Sequence, residues 1–166
     1  MARIAASPET QEPSPAAPAS SAAAGALAPH ERQAFLTALS RLSEHEEAFT
    51  ESLYARFFAL RPDAAELFGE YSISEREEMV RETFRCLLAW LEGEPWLDAN
   101  LRALGRSHAE YGVEDEMYPP FVEALIESAR SVTDAVPEES LDASTLALLR
   151  GAAEQIVSTM RAAGGG

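Results

Sequence analysis

His108 is the residue best suited to chemistry in this chain. It continues an apolar stripe made by Leu97, Leu101 and Leu104, at spacings of four, three and four residues, and Gly112 follows four residues later. If this stretch is helical, the carbonyl one turn before His108 belongs to Leu104, the offset at which a backbone oxygen accepts a hydrogen bond from one imidazole nitrogen. Such a bond holds the ring in one orientation, and an imidazole that is also neutral then offers its other nitrogen to a metal. With leucines as an apolar wall, this is the setting that an axial ligand of a porphyrin iron needs. The same position also serves a packed, hydrogen-bonded core histidine, and residue type alone leaves both readings open.

Other constellations are weaker. His30 and His45 lie in acidic stretches, and His45-Glu46-Glu47 has no partner at metal spacing, so a solvated face is expected there. The carboxylate runs at Glu75–Glu78 and Glu114–Glu116 suit the positive ends of helices. There is no Gly-rich phosphate loop, no Ser/His/Asp order and no Cys/His pair. Cys86 is the single cysteine, which excludes an internal disulfide and a thiolate zinc cluster; it reads as a small core or boundary residue.

Charge narrows the partners. The 13 basic residues, all arginine, face 28 acidic ones, and the net charge of −15 argues against nucleic-acid backbones and anionic membrane surfaces. No apolar run is long enough to span a bilayer. Residues 1–29 are rich in Ala, Pro and Ser, contain no aromatic residue, and bury too little to offset their ordering entropy, so they read as a disordered extension. Pro and Glu interrupt any candidate signal core, and Glu9 and Glu12 disfavour a transit peptide; a cytoplasmic location is expected. The folded domain is placed at 30–163, with 164–166 as a flexible Gly tail.

The elements that must position His108 are helical throughout. Phe35, Leu36, Leu39 and Leu42 share a face in His30–Leu42, and Ser43 with Glu46 fits a capping box. A second helix runs through Phe49, Leu53, Phe57 and Leu60 until Arg61-Pro62 breaks it. A short piece, Asp63–Phe68, follows. Ser74 with Glu77 suggests the start of a long helix carrying Val80, Phe84, Leu87, Leu88 and Leu91, which Gly93 and Pro95 end. After the His108 helix, Tyr111-Gly112-Val113 forms a loop, and Glu116–Val132 and Leu141–Ala163 are two final helices. No stretch alternates like a strand, and the fold class is all-α.

On these elements three motifs stand in order. The run Leu104-Gly105-Arg106-Ser107-His108-Ala109-Glu110-Tyr111-Gly112-Val113 resembles the proximal-histidine signature of bacterial single-domain globins and of the globin domain of flavohaemoglobins. Leu53-Tyr54-Ala55-Arg56-Phe57-Phe58-Ala59-Leu60-Arg61-Pro62, followed by Glu66-Leu67-Phe68, is similar to the same family's second-helix-to-loop signature. Tyr118, ten residues past His108, also matches, and the resemblance covers roughly residues 32–162.

The resemblance implies a globin fold of about seven or eight helices around haem b. It implies His108 as the iron ligand, with Leu104 behind it, Val113 packed beneath the porphyrin, Phe68 stacked on it, and Tyr54 directing its hydroxyl at a diatomic ligand. Phe68 and Tyr54 also suit plain core packing. Counting back from His108 sets Arg76 where the family has Gln or His, and Val80 one turn further on; a one-residue slip gives Glu75 and Met79 instead. Arginine stays protonated and cannot ligate iron, so Arg76 is free to reach a haem propionate, to lie over a bound ligand, or to face solvent.

Two departures accompany the match. No reductase domain is expected beyond the globin region. The family's late glutamate, which with the tyrosine matched by Tyr118 bonds the proximal histidine, has no counterpart, since no carboxylate follows Glu154. The expected function is reversible binding of dioxygen, and of nitric oxide or carbon monoxide, by a monomer or homodimer. Nitric oxide dioxygenation with an external reductase, and gas sensing through a partner, are the alternatives.

Overall fold

The computed structural model describes residues 24–165. Among them it forms seven α-helices: α1 (Pro29–Glu44), α2 (Glu46–Leu60), α3 (Ala64–Leu67), α4 (Ile73–Glu92), α5 (Leu97–Glu110), α6 (Tyr118–Asp134) and α7 (Ala143–Gly164). Short 3-10 turns at Asp115–Met117 and Pro137–Glu139 precede α6 and α7. No strand occurs among the described residues, so the chain is all-α, with the globin-type arrangement expected of its motifs. None of these helices is long and apolar enough to cross a membrane.

Several helix starts differ from the sequence reading, each for a local reason. Ser43 does not open α2: its hydroxyl donates back to the Leu39 carbonyl at 2.8 Å, inside the last turn of α1, and the single residue His45 joins the two helices. The capping box of α4 is Ser72 with Glu75, two residues earlier than Ser74 with Glu77. The Ser72 N–H donates to Glu75 Oε2 at 2.6 Å, and the Glu75 N–H donates to Ser72 Oγ at 3.3 Å. Tyr118 begins α6 because Pro119 and Pro120 lack N–H groups and fit only its first turn. Asp142 caps α7 by accepting from the Thr145 N–H at 2.7 Å, which leaves Leu141 outside the helix but buried.

The extension expected at 1–29 and the Gly tail expected at 164–166 fall partly outside the described residues. Residues 1–23 and 166 lie outside the described part. Ala24 is buried and Leu27 packs on the core, so the chain joins the fold before residue 29. Gly164 is still the last residue of α7.

His45 is not on a solvated face. Its Nε2 meets Glu139 Oε2 at 2.6 Å, while Arg41 donates to the Glu139 carbonyl at 2.7 Å. The junction between α1 and α2 is thereby tied to the turn before α7.

The apolar faces of all the long helices meet in one core, where Phe35, Phe49, Leu42, Leu53, Leu87, Leu91, Leu101, Leu125 and Leu149 are almost fully buried. Helix α2 packs on α6, and α5 packs on α7. The second pair sets the height of His108. At Gly105 no side chain separates the helices: a Cβ built there would lie 2.1 Å from the Met160 carbonyl oxygen. Only a glycine allows this approach, and it fixes α5 three residues before His108.

Gly105→Ala should therefore cost about 1–3 kcal/mol or more, because backbone cannot step aside as a side-chain tip can. Gly151→Ala, in the interior of α7 with nothing within 4 Å, should instead add roughly 0.5–1 kcal/mol from helix propensity. Urea midpoints of the two variants test this; equal midpoints would show that the α5–α7 contact is looser than described.

Candidate functional site

His108 sits in the last turn of α5, half-buried. Its Nδ1 is 2.8 Å from the Leu104 carbonyl oxygen. A carbonyl can only accept, so Nδ1 carries the proton, and in the neutral ring Nε2 holds the bare lone pair. Nε2 has no hydrogen-bond partner among the described residues. The ring is also held from its face, since the Tyr118 ring stacks on it with centroids 6.3 Å apart at 28°. Burial raises the Tyr118 phenol pKa, Asp115 adds to that, and Arg161 opposes it.

The loop after α5 is closed over the histidine. Gly112 takes φ 84°, in the left-handed region that a glycine occupies without strain. This turn lets the Val113 N–H donate to the His108 carbonyl at 2.9 Å. Leu104 and Val113, both half-buried, pack against the core on either side of His108 in sequence.

A second group gathers on α2 and on the segment leading into α4. Tyr54 is 4% exposed, and its hydroxyl donates to Met79 Sδ at 3.6 Å, a weak acceptor. Phe68 lies 5.2 Å from the Tyr54 ring and 5.5 Å from Phe58. Tyr71 packs against Phe68 at 5.9 Å. Arg76 lays its guanidinium over the Tyr54 and Phe58 rings, at 5.5 and 5.4 Å from their centroids. Its Nη2 donates to the Phe68 carbonyl at 3.4 Å, and its Nε is buried with no hydrogen-bond partner.

These contacts also place the two alternatives for the start of α4. Glu75 is spent on the exposed cap with Ser72, while Arg76 turns to the aromatic rings. Val80 is in the core, 1% exposed, and Met79 faces Tyr54, so both side chains are directed inward.

The two groups border each other. Leu67 Cδ2 would be 3.8 Å from a Cβ at Gly112, which sets the end of α3 beside the end of α5. Arg61 reaches Glu114 at 3.7 Å across the same gap. Phe57 meets Phe121 of α6 edge-on at 5.4 Å, near Tyr118 in sequence. Tyr71 was not singled out from sequence, whereas Phe58 stood within the second-helix run and Phe121 on the apolar face of its helix, neither with a role at the site. The spacing of four residues from Tyr54 to Phe58 was the available signal for that contact. Cys86 contributes no chemistry here: burial, with Glu82 beside it, raises its thiol pKa to about 12.

No family model matches the chain. The chain is similar to a flavohemoprotein of Rhizobium meliloti (strain 1021), 30% identical over 106 residues. That match takes in 61% of this chain and 26% of the relative, so the chain spans about a quarter of the relative's length. The match and the all-helical fold agree with the likeness to the globin domain of flavohaemoglobins.

Burial pushes the Tyr54 phenol pKa up to about 12, against a smaller opposing pull from Arg76, so the hydroxyl keeps its proton at any working pH. Because the folded value exceeds the free value of 10.0, the resulting stability is complete below pH 10 and is lost as pH rises toward 12. The phenolate absorbance missing from Tyr54→Phe, relative to wild type, should accordingly appear near pH 12. A missing step near pH 10 would mean that Tyr54 is open to water.

Proposed function

We propose that this globin-like chain binds haem b through His108 and reversibly holds dioxygen, with carbon monoxide and nitric oxide as further ligands. The observation that carries this reading is the bond from His108 Nδ1 to Leu104, which leaves Nε2 bare on a fixed, half-buried ring. No three metal-binding side chains cluster among the described residues. His108 is thus a lone donor and suits an iron whose other donors come with its cofactor. The likeness to a flavohemoprotein supports the same reading.

Haem supplies an iron able to take a diatomic ligand; the chain decides how that iron is held and what surrounds the ligand. The Leu104 carbonyl and the Tyr118 ring fix the orientation of His108. Phe68 and Val113 provide apolar surface for a porphyrin. Tyr54 supplies a neutral hydrogen-bond donor whose present partner, the Met79 sulfur, is weak enough to give up. A donor in a dry site strengthens the hold on a ligand that gains negative charge and does less for one that does not. Diatomic gases, together with an external reductase that restores the ferrous state, are the partners this reading calls for.

Removing the imidazole should remove the cofactor's anchor. His108→Ala should lose most of its haem, or keep an iron whose spectrum is restored by added imidazole. An unchanged Soret band at full haem content would overturn the assignment.

Tyr54→Phe should speed dioxygen release by about ten- to a hundredfold, the equivalent of roughly 1.5–3 kcal/mol for one donor to a partly charged acceptor. Carbon monoxide release should change less. Stopped-flow displacement of dioxygen by carbon monoxide measures the first and displacement of carbon monoxide by nitric oxide the second, and equal dioxygen release rates in wild type and variant would take the donor role away from Tyr54.

A further inference from the structure

The chain has four methionines, and they differ in what can reach them. Met1 lies outside the described residues. Met117 and Met160 are shut into the core, 5% and 8% exposed. Met79, in the second turn of α4, is only half-buried. Its sulfur is also the one acceptor that the Tyr54 hydroxyl has among the described residues, at 3.6 Å. A small oxidant arriving from solvent therefore meets Met79 before Met117 or Met160, and a change at its sulfur is passed directly to a buried phenol.

A thioether is a weak acceptor, so the Tyr54 O–H is poorly satisfied where it stands. Oxidation of the sulfur reverses that. A sulfoxide carries a polarised oxygen, a far stronger acceptor than the thioether it replaces. With the sulfur 3.6 Å from the hydroxyl, an oxygen bonded to it comes within ordinary O–H···O reach. Burial keeps the phenol protonated, so it stays a donor. The Phe58 and Phe68 rings pack on Tyr54, centroids 5.8 and 5.2 Å away, and hold its ring in place beside α4.

We propose that Met79 is a site of reversible oxidation by hydrogen peroxide, and that the sulfoxide formed there captures the Tyr54 hydroxyl. In the step, a sulfur lone pair attacks one oxygen of the peroxide, and an S–O bond forms as the O–O bond breaks. Sulfur gives up two electrons. The hydroxide released takes the proton from the sulfur-bound oxygen and leaves as water. Methionine sulfoxide reductases reverse the change. The modification site stands on the contact between Met79 and Tyr54 alone. Its consequence for gas binding rests on the donor role proposed for Tyr54 above: a hydroxyl held by the sulfoxide is withdrawn from a bound ligand, and peroxide then loosens the hold on dioxygen.

Peptide mapping locates the oxidation. Arginines at 76, 81, 106, 130, 150 and 161 let trypsin put Met79, Met117 and Met160 on separate peptides. In the folded full chain treated with hydrogen peroxide, Met79 should be converted about ten times faster than Met117 or Met160. Either of those keeping pace with Met79 overturns the site. Carbon-13 NMR of the oxygen-bearing ring carbon of the four tyrosines follows the hydroxyl, with Tyr54→Phe assigning the Tyr54 signal. Oxidation should move that signal, and a sulfoxide reductase should return it. In Met79→Leu, which keeps the volume but forms no sulfoxide, peroxide should leave it in place. A Tyr54 signal that stays put in the oxidised wild type means that the new oxygen has turned to solvent or to Arg76, and overturns the capture.

Gas binding separates the two readings. In the holoprotein, oxidation, removal of the peroxide and reduction of the iron should speed dioxygen release toward the Tyr54→Phe rate, by about ten- to a hundredfold, until a sulfoxide reductase restores it. Met79→Leu exposes its iron to the same peroxide, so an equal acceleration there would trace the effect to the cofactor and overturn the consequence. An unchanged release rate beside a moved Tyr54 signal would take the donor role from Tyr54 and leave the Met79 site standing.

Discussion

At Gly105, helix α5 meets α7 with no side chain between them. The Gly105 backbone lies against the Met160 carbonyl so closely that even a methyl group would collide with it. Much of the site follows from this contact. It seats α5 on a helix that is itself anchored in the core by Leu149, Ala152 and Ile156. With α5 seated, the Leu104 carbonyl, next to the contact, and the His108 imidazole, three residues beyond it, are held in register, and Gly112 can turn the chain back so that Val113 closes on His108. A looser helix pair would leave the imidazole free to rotate, whereas the iron-ligand role proposed for it needs one orientation and one tautomer.

Electrostatics divide the molecule into two environments. The surface is acidic, and Arg81, Arg85, Arg102 and Arg130 are spent on exposed pairs with carboxylates within one helix turn, which contribute little to stability. Around Tyr54 the surroundings are aromatic, the hydroxyl is kept protonated by burial, and the single charge is Arg76. A neutral donor and an unpaired cation in an apolar setting act more strongly on a charged or polarised ligand than they would in water. The same burial makes the thiol of Cys86 unreactive.

The elements beside the site are connected by few residues, and each connection has a local cause. Pro62 stops α2 and lets α3 return Phe68 toward Tyr54. Ser72 and Glu75 start α4 early enough to present Arg76 on its inner face. Pro119 and Pro120 begin α6 immediately after Met117, which leaves Tyr118 facing His108. His45, Arg41 and Glu139 tie down the far end of the bundle, away from this chemistry.

The all-α class, the ends of α2 and α4, and the turn after α5 were legible in the residue order, because helix periodicity, Pro and Gly act over a few positions. So was the pairing of His108 with the Leu104 carbonyl, since a helix always brings residues four apart together. Helix starts were harder. Two Ser-x-x-Glu patterns overlap near α4, and which one caps depends on where the preceding chain is led by α3. The bond between His45 and Glu139 spans 94 residues, and no local pattern announces it. Arg76 and Met79 both turning toward Tyr54 was equally hidden, because the rotation of α4 about its axis is set by the core packing of Val80, Phe84 and Leu87 rather than by its own first turn. Residue types and spacings along the chain thus determined which helices form and which groups could do chemistry. Only tertiary packing decided which of those groups face one another, because that depends on contacts between residues far apart in sequence.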